Sequence, residues 1–206
     1  MSPGIGILGF QGDVSEHIGI IKAIARKQKK NIPVTEIRKK DQLDNVSGLI
    51  IPGGESTTMY KLLNLYGIYD EVISRAMGGF PVMGTCAGLI VISKETNDSR
   101  VKGMNLIDTT IERNAYGRQI DSFIHEINIS GIGEYKAVFI RAPVISDAGS
   151  SEILALYNNK PVMVRKGNIL GMTFHPELTN DLRVHEYFLN IVEGEGYTSS
   201  GTLKGD

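Results

Sequence analysis

The pentapeptide Gly84-Thr-Cys-Ala-Gly88 restricts this chain more than any other stretch. The apolar run Phe80-Pro-Val-Met83 precedes it, bounded by Gly78-Gly79, and Ala87-Gly-Leu-Ile-Val-Ile92 follows. The first reads as a strand and the second as the start of a helix, so the chain must turn sharply between them. Glycines two residues either side of Cys86 permit that turn, because a β-carbon at either flank would collide with neighbouring backbone. This is the G-x-nucleophile-x-G elbow with cysteine in place of serine. It lifts the sulfur above a sheet edge and sets it at a helix N-terminus, where a thiolate is favoured. The plain alternative is a buried core cysteine between two unrelated glycines.

The rest of the chain decides between these readings. Its 206 residues suit one medium-sized domain. A net charge of −1 with 22% charged residues points away from a nucleic-acid partner. One cysteine excludes an internal disulfide and suits a reducing cytoplasm. There is no CxxC, HExxH or Cys/His cluster, so no metal is expected. The first residues lack a basic n-region, and no apolar stretch approaches the roughly 18 residues of a membrane span, so neither a signal peptide nor a membrane partner is expected.

Residues 4–10 read as a strand buried on both faces. Asp13, with Glu16 three residues on, reads as the N-cap of a helix reaching about Lys30. Val14, Ile18, Ile21, Ile24 and Ala25 form its apolar face. Residues 32–37 and 47–51 read as further strands, giving a parallel sheet with right-handed crossovers. Gly53-Gly54-Glu55-Ser56 follows the third strand. Such a loop binds an anion or a developing oxyanion, or is simply a tight strand-to-helix turn with an N-cap. Residues 59–66 and 68–77 supply helices. The glycine loop and the elbow then share one sheet edge, where ligands of doubly wound sheets bind.

From Val101 the texture becomes that of short β-strands, at 104–113, 119–129, 137–142, 153–157, 161–166 and 169–174. Asn158-Asn159-Lys160 and Gly167-Asn168 read as hairpin turns. This half is expected to be mostly antiparallel and to pack on the first sheet without a linker. Arg113 and Arg141 sit near strand ends, where each could clamp a carboxylate or simply form a surface ion pair. In Phe174-His175-Pro176-Glu177, side chains two apart in an extended segment point the same way, so Glu177 could accept a hydrogen bond from His175 and orient it. His17, His125 and His185 read as structural or surface residues. Residues 180–192 form a closing helix with Leu182, Tyr187, Phe188 and Ile191 on its apolar side. Residues 1–193 are expected to form one domain, and 194–206 a mobile tail too poor in apolar residues to pack.

GGES after a strand, GTCAG at an elbow and HPE later in the chain occur in the order of the class I glutamine amidotransferases, the triad glutaminases, which this chain resembles. LGFQGDVSEH, IPGGESTTM, GTCAGLI, ERNAYGRQIDSF, FIRAP and FHPEL are similar to the glutaminase subunits of pyridoxal 5′-phosphate synthase, over about residues 4–192. The resemblance implies an α/β, flavodoxin-like three-layer sandwich, with a central mostly parallel sheet and an added antiparallel β region. It implies hydrolysis of L-glutamine to L-glutamate and ammonia without a cofactor. The ammonia would pass to a barrel-type synthase subunit in a hetero-oligomer. By the family pattern Cys86 is the nucleophile, His175 moves the protons and Glu177 orients His175. Gly54 and Ala87 supply the oxyanion hole, and Gly54, Glu55, Ser56, Arg113, Ile140 and Arg141 line the glutamine site, with Arg113 at the substrate α-carboxylate. The docking face is expected near Gln11-Gly12.

The glutaminase subunit of imidazole glycerol phosphate synthase shares this triad logic, but LGFQGDVSEH and ERNAYGRQ speak against it. A cysteine peptidase or thiol-stress protein would leave the HPE segment and the GGES loop unexplained. A non-catalytic binding subunit would need no nucleophile.

Overall fold

Four short apolar strands set the frame of the molecule, whose structure, a computed structural model, describes residues 4–113 and 122–194. In β1 (Ile5–Leu8), β3 (Gly48–Ile51) and β4 (Val82–Thr85) every residue is buried, as strands covered on both faces must be. β2 (Val34–Ile37) lies at the sheet edge and is only partly buried. β1 pairs with β2 and β3, β3 with β4, and β4 with the late strand β12 (Ile169–Met172), all parallel. The parallel strands therefore run β2-β1-β3-β4-β12. This is the flavodoxin-like order, with its switch point between β1 and β3.

The sheet continues beyond β12. β11 (Lys160–Lys166), β10 (Glu152–Tyr157), β7 (Ser122–Ile129) and β8 (Gly133–Ile140) extend it antiparallel to nine strands. Most of the C-terminal half thus prolongs the first sheet edge to edge, and the small second sheet packs on it, with Ile107, Ile111 and Ile145 in one core with Val164 and Ile169. β12 makes the edge-to-edge join, because it pairs parallel with β4 on one side and antiparallel with β11 on the other. Asn158 and Asn159 join β10 to β11 with φ of 48° and 59°, the left-handed pair that a type I′ turn requires. A small second sheet contains β5 (Ser93–Thr96), β6 (Ile107–Glu112) and β9 (Val144–Asp147).

Helices cover both faces. α1 (Val14–Gln28) and α5 (Arg183–Val192) bury Ile21, Ile24, Phe188 and Ile191 against Ile5, Ile7 and Ile50. α2 (Ser56–Leu65), α3 (Ile68–Met77) and α4 (Ala87–Ile92) bury Leu63, Val72 and Leu89 against Leu49, Ile51 and Val82. The two-residue alternation along β3 sends Ile50 to one layer and its neighbours to the other. Each such fully buried side chain contributes ~1.5–3 kcal/mol. Residues 114–121, which hold much of ERNAYGRQ and the start of the expected strand at 119, lie outside the described residues, as does the expected tail from 195 onward. Among the described residues, no helix is long and apolar enough to cross a membrane.

Candidate active site

β4 ends at Thr85, and Cys86 takes φ 49° and ψ −104° before α4 begins. An L-residue adopts that backbone only where its surroundings impose it. Here they do. A β-carbon on Gly88 would stand 2.0 Å from the Ile51 carbonyl oxygen, and one on Gly84 would stand 2.8 Å from the Gly88 carbonyl. Helix and strand cross in contact, and the chain between them has no other path. The Cys86 amide donates to the Met172 carbonyl at 2.9 Å, tying the elbow to β12. The sulfur, in a residue 8% exposed, lies 3.9 Å from the Ile140 carbonyl oxygen.

His175 follows the end of β12, and its amide donates to Val138 of β8 at 2.8 Å. Its Nδ1 lies 2.6 Å from Glu177 Oε1 and 3.3 Å from Asp13 Oδ2. The sequence suggested an extended His-Pro-Glu segment. Instead Pro176–Leu178 forms a single 3-10 turn, which folds Glu177 back beneath the ring. Burial opposes charge on His175, but hydrogen bonding to Cys86 and Glu177 outweighs it and holds the ring up to about 10. Nε2 is buried without a hydrogen bond of regular geometry and is the ring atom left for Cys86. Burial pushes the Glu177 carboxyl up, against the pull of His175.

Three residues of this site were not singled out in the sequence. Asp13 precedes α1 but makes no side-chain cap, and its carboxylate reaches His175. His17 and His185 are wholly buried, with His17 Nδ1 2.9 Å from His185 Nε2. His17 Nε2 lies 3.4 Å from Glu177 Oε2. The available signal was phase. His17 falls in step with Val14, Ile21 and Ile24, and His185 with Phe188, so each ring sits on a buried stripe and needs a polar partner there. Asp13, His175 and Glu177 bring one ligand-type atom each within 4.8 Å of one another. Those atoms converge on a single N–H, Nδ1 of His175, and make a hydrogen-bond cluster.

A cleft of about 440 Å³ opens above Cys86 and His175. Gly54, Glu55, Ser56, Ala87, Arg113, Ile140 and Arg141 all line it, together with Gly12, Asp13, Ile90 and Pro143. Of the expected site residues only Glu177 is absent from its walls, because it sits behind His175. Glu55 caps α2, accepting from the Thr57 amide at 3.1 Å, the Thr58 amide at 2.7 Å and the Thr57 hydroxyl at 2.5 Å. Its slight burial works against ionisation, yet these bonds hold the carboxyl down to about 2. Gln11 grips the Glu55 backbone from the other side, donating from Nε2 to the carbonyl at 2.5 Å and accepting from the amide at 3.3 Å. Arg113 stands just after β6, with its guanidinium on Asp98 and 3.4 Å from Glu55. Arg141 follows β8 with φ 41°, is exposed, and forms no ion pair among the described residues.

Comparison with known proteins gives the chain a family. The model of the family described as "SNO glutamine amidotransferase family" matches residues 7–194. A Thermoplasma volcanium protein named pyridoxal 5′-phosphate synthase subunit PdxT is 62% identical over 96% of this chain and 98% of its own length. The protein of that name from Thermoplasma acidophilum is 56% identical over 97% of this chain and 98% of its own. A solved structure titled "Crystal structure of glutamine amidotransferase" superposes with a TM-score of 0.86 at 42% identity, covering 92% of this chain and 98% of that one.

Proposed function

The chain belongs to the SNO glutamine amidotransferase family, and from that premise and the cleft chemistry we propose that it is the glutaminase subunit of a pyridoxal 5′-phosphate synthase, with the Cys86–His175–Glu177 triad as its catalytic apparatus. It hydrolyses L-glutamine to L-glutamate and ammonia. The observation that carries the residue assignment is the meeting of Cys86, at its strained elbow, with His175, itself 2.6 Å from Glu177, at the floor of one cleft.

In this reading the Cys86 thiolate attacks the side-chain carboxamide carbon of glutamine. Backbone N–H groups of Gly54 and Ala87 hold the oxyanion that forms, a role worth roughly 3 kcal/mol per donor. His175, protonated at Nε2, gives that proton to the departing nitrogen, and ammonia leaves behind a γ-glutamyl thioester. His175 then takes a proton from water, which attacks the thioester and returns the thiolate. Glu177 keeps Nδ1 of His175 protonated so that Nε2 does the transfer. Arg113 and Arg141 are the cations for the substrate α-carboxylate, and Arg141, which forms no ion pair among the described residues, suits that role.

The ammonia goes to a synthase subunit, which we take to be barrel-type and held in a hetero-oligomer. We take the docking face to lie near Gln11-Gly12, where Phe10 stacks on Tyr66 at 5.1 Å beside an exposed Leu65. The histidine-biosynthesis alternative is not favoured, since these relatives carry the pyridoxal phosphate synthase name. The deciding assay is glutamate release from L-glutamine, by the chain alone and with a pyridoxal phosphate synthase subunit, with Cys86→Ala as blank. Stimulation by the partner with a silent blank is the expected result. No release from either mixture, with binding of the synthase verified, removes the catalytic reading.

A further inference from the structure

Glu177 has two carboxylate oxygens, and the triad uses one. Oε1 accepts from His175, while Oε2 and His17 Nε2 lie 3.4 Å apart, both buried and neither in a hydrogen bond of regular geometry. Behind His17, Nδ1 meets His185 Nε2 at 2.9 Å, and His185 Nδ1 is buried with no partner. Burial, with the neighbouring histidines adding to it, holds His17 well below the ordinary range, and burial alone takes His185 down to about 3. Both rings are therefore neutral at pH 7, and each carries one N–H.

Only two arrangements of those two protons make the bond between the rings. In the first, His185 donates from Nε2 to His17 Nδ1, and His17 Nε2–H faces Glu177 Oε2. In the second, His17 donates from Nδ1 to His185. That leaves a bare His17 nitrogen against a carboxylate oxygen and strands an N–H of His185 in the core. The first leaves one unpartnered lone pair. The second sets two lone pairs against each other and orphans a donor, and unmade buried hydrogen bonds of that kind are expensive.

We propose that His17 and His185 are positioning residues of the glutaminase triad, forming a directed chain, His185 Nε2–H to His17 Nδ1 and His17 Nε2–H to Glu177 Oε2, that holds the buried carboxylate ionised and aimed at His175. This rests on the triad assignment made above. The ionisable groups around His17 are Glu177 from the 176–178 turn, His185 from α5, His175 beyond β12, and Asp13 at the head of its own helix. β1 brings no ionisable residue, and Glu36 of β2 is paired with Arg38. Loss of the His17 donor leaves Glu177 with only His175 and its own backbone N–H to favour the charged form. Its carboxyl then protonates at higher pH, and His175 loses the partner that fixes its tautomer.

Two experiments test this independently. In the full chain labelled with 15N-histidine, two-bond nitrogen–proton correlation spectra are expected to show neutral Nε2–H tautomers for both His17 and His185, and an Nδ1–H tautomer at His17 overturns the chain. His17→Leu and His17→Gln are then compared in the partner-stimulated glutaminase assay. Leucine is expected to lower kcat on the order of 10- to 100-fold with KM held, as small misplacements of catalytic groups do, and to move the acid limb of kcat/KM to higher pH. Glutamine, which offers one donor and one acceptor in similar positions, is expected to recover most of that loss. A folded leucine variant with the wild-type rate and pH profile overturns the proposal, and so does a folded glutamine variant as impaired as leucine. If the leucine variant does not fold, the tautomers and the pH profile of the glutamine variant decide. A wild-type chain with no turnover removes the glutaminase reading, while the tautomers still test the chain of hydrogen bonds.

Discussion

Gly88→Ala strikes the crossing of α4 with β3. The new β-carbon would stand 2.0 Å from the Ile51 carbonyl oxygen and 2.8 Å from its carbonyl carbon. Carbon and carbonyl oxygen rest no closer than ~3.3 Å, so helix and strand must part by on the order of 1 Å. Ile51 cannot move alone, since β3 is hydrogen-bonded on both sides and wholly buried. The helix gives way, and Cys86 goes with it. Overpacking of this kind costs ~1–3 kcal/mol, which in a chain of this length lowers Tm by roughly 2–12 °C. With Cys86 as the proposed nucleophile, a displacement of about 1 Å loses on the order of 100-fold in rate, equivalent to ~2.7 kcal/mol. Gly19→Ala is the control, because its β-carbon meets nothing within 4 Å on the exposed side of α1. It is expected to stabilise by ~0.5–1 kcal/mol and leave turnover intact. Thermal unfolding followed by circular dichroism, with glutamate release, reads both variants. A Gly88→Ala protein with wild-type Tm and turnover refutes the claim that the crossing sets the elbow.

Glu55→Ala removes the α2 cap and is expected to cost ~1 kcal/mol by chemical denaturation. Because the Glu55 carboxyl is held down to about 2, its contribution is complete above ~4.3 and fades as pH falls toward 2. Its side chain is 47% exposed, so solvent screening trims that effect, and an unchanged margin over Glu55→Ala from pH 7 to pH 2 contradicts it. His175 titrates in the opposite sense. With the ring held up to about 10, its contribution is complete below ~6.5 and lost as pH rises toward 10. The stability margin of the wild type over His175→Gln should therefore narrow between pH 6.5 and 10, and a constant margin argues against it. Gln11→Ala frees the Glu55 backbone from both its side-chain bonds, and is expected to lower stability by ~1 kcal/mol and to reduce partner-stimulated turnover. Unaltered turnover and synthase binding would place the docking face elsewhere.

What was legible in the sequence is what short-range sterics decide. The elbow could be read because two glycines leave the backbone one route, and the hairpin at Asn158-Asn159 because few residues tolerate its φ values. The buried strands of the parallel half showed as plain apolar runs. β5 did not, since Ser93-Lys-Glu-Thr96 has no apolar residue and owes its shape to pairing with β6. Nor does a local pattern say which strand β12 joins, so the single nine-stranded sheet was out of reach. The same division holds in the cleft. His175 and Glu177 are two residues apart and were paired on sight. Asp13, His17 and His185 reach them from elements distant in sequence, and a helical histidine or an acidic N-cap candidate looks ordinary until the elements meet.

The place of β12 has a consequence for how the molecule is made. Ile169–Met172 fill the slot between β4 and β11 near the middle of the sheet, yet they are made after every other described strand. Until they arrive, β4 has an open edge, and contacts between segments so far apart form slowly. On the proposed triad, the growing chain can form its elbow long before it owns a base, because His175 and Glu177 come directly behind that strand. Insertion of one late strand thus closes the sheet and arms the thiol in the same step, and a chain cut short before it carries Cys86 without the histidine that would put it to use.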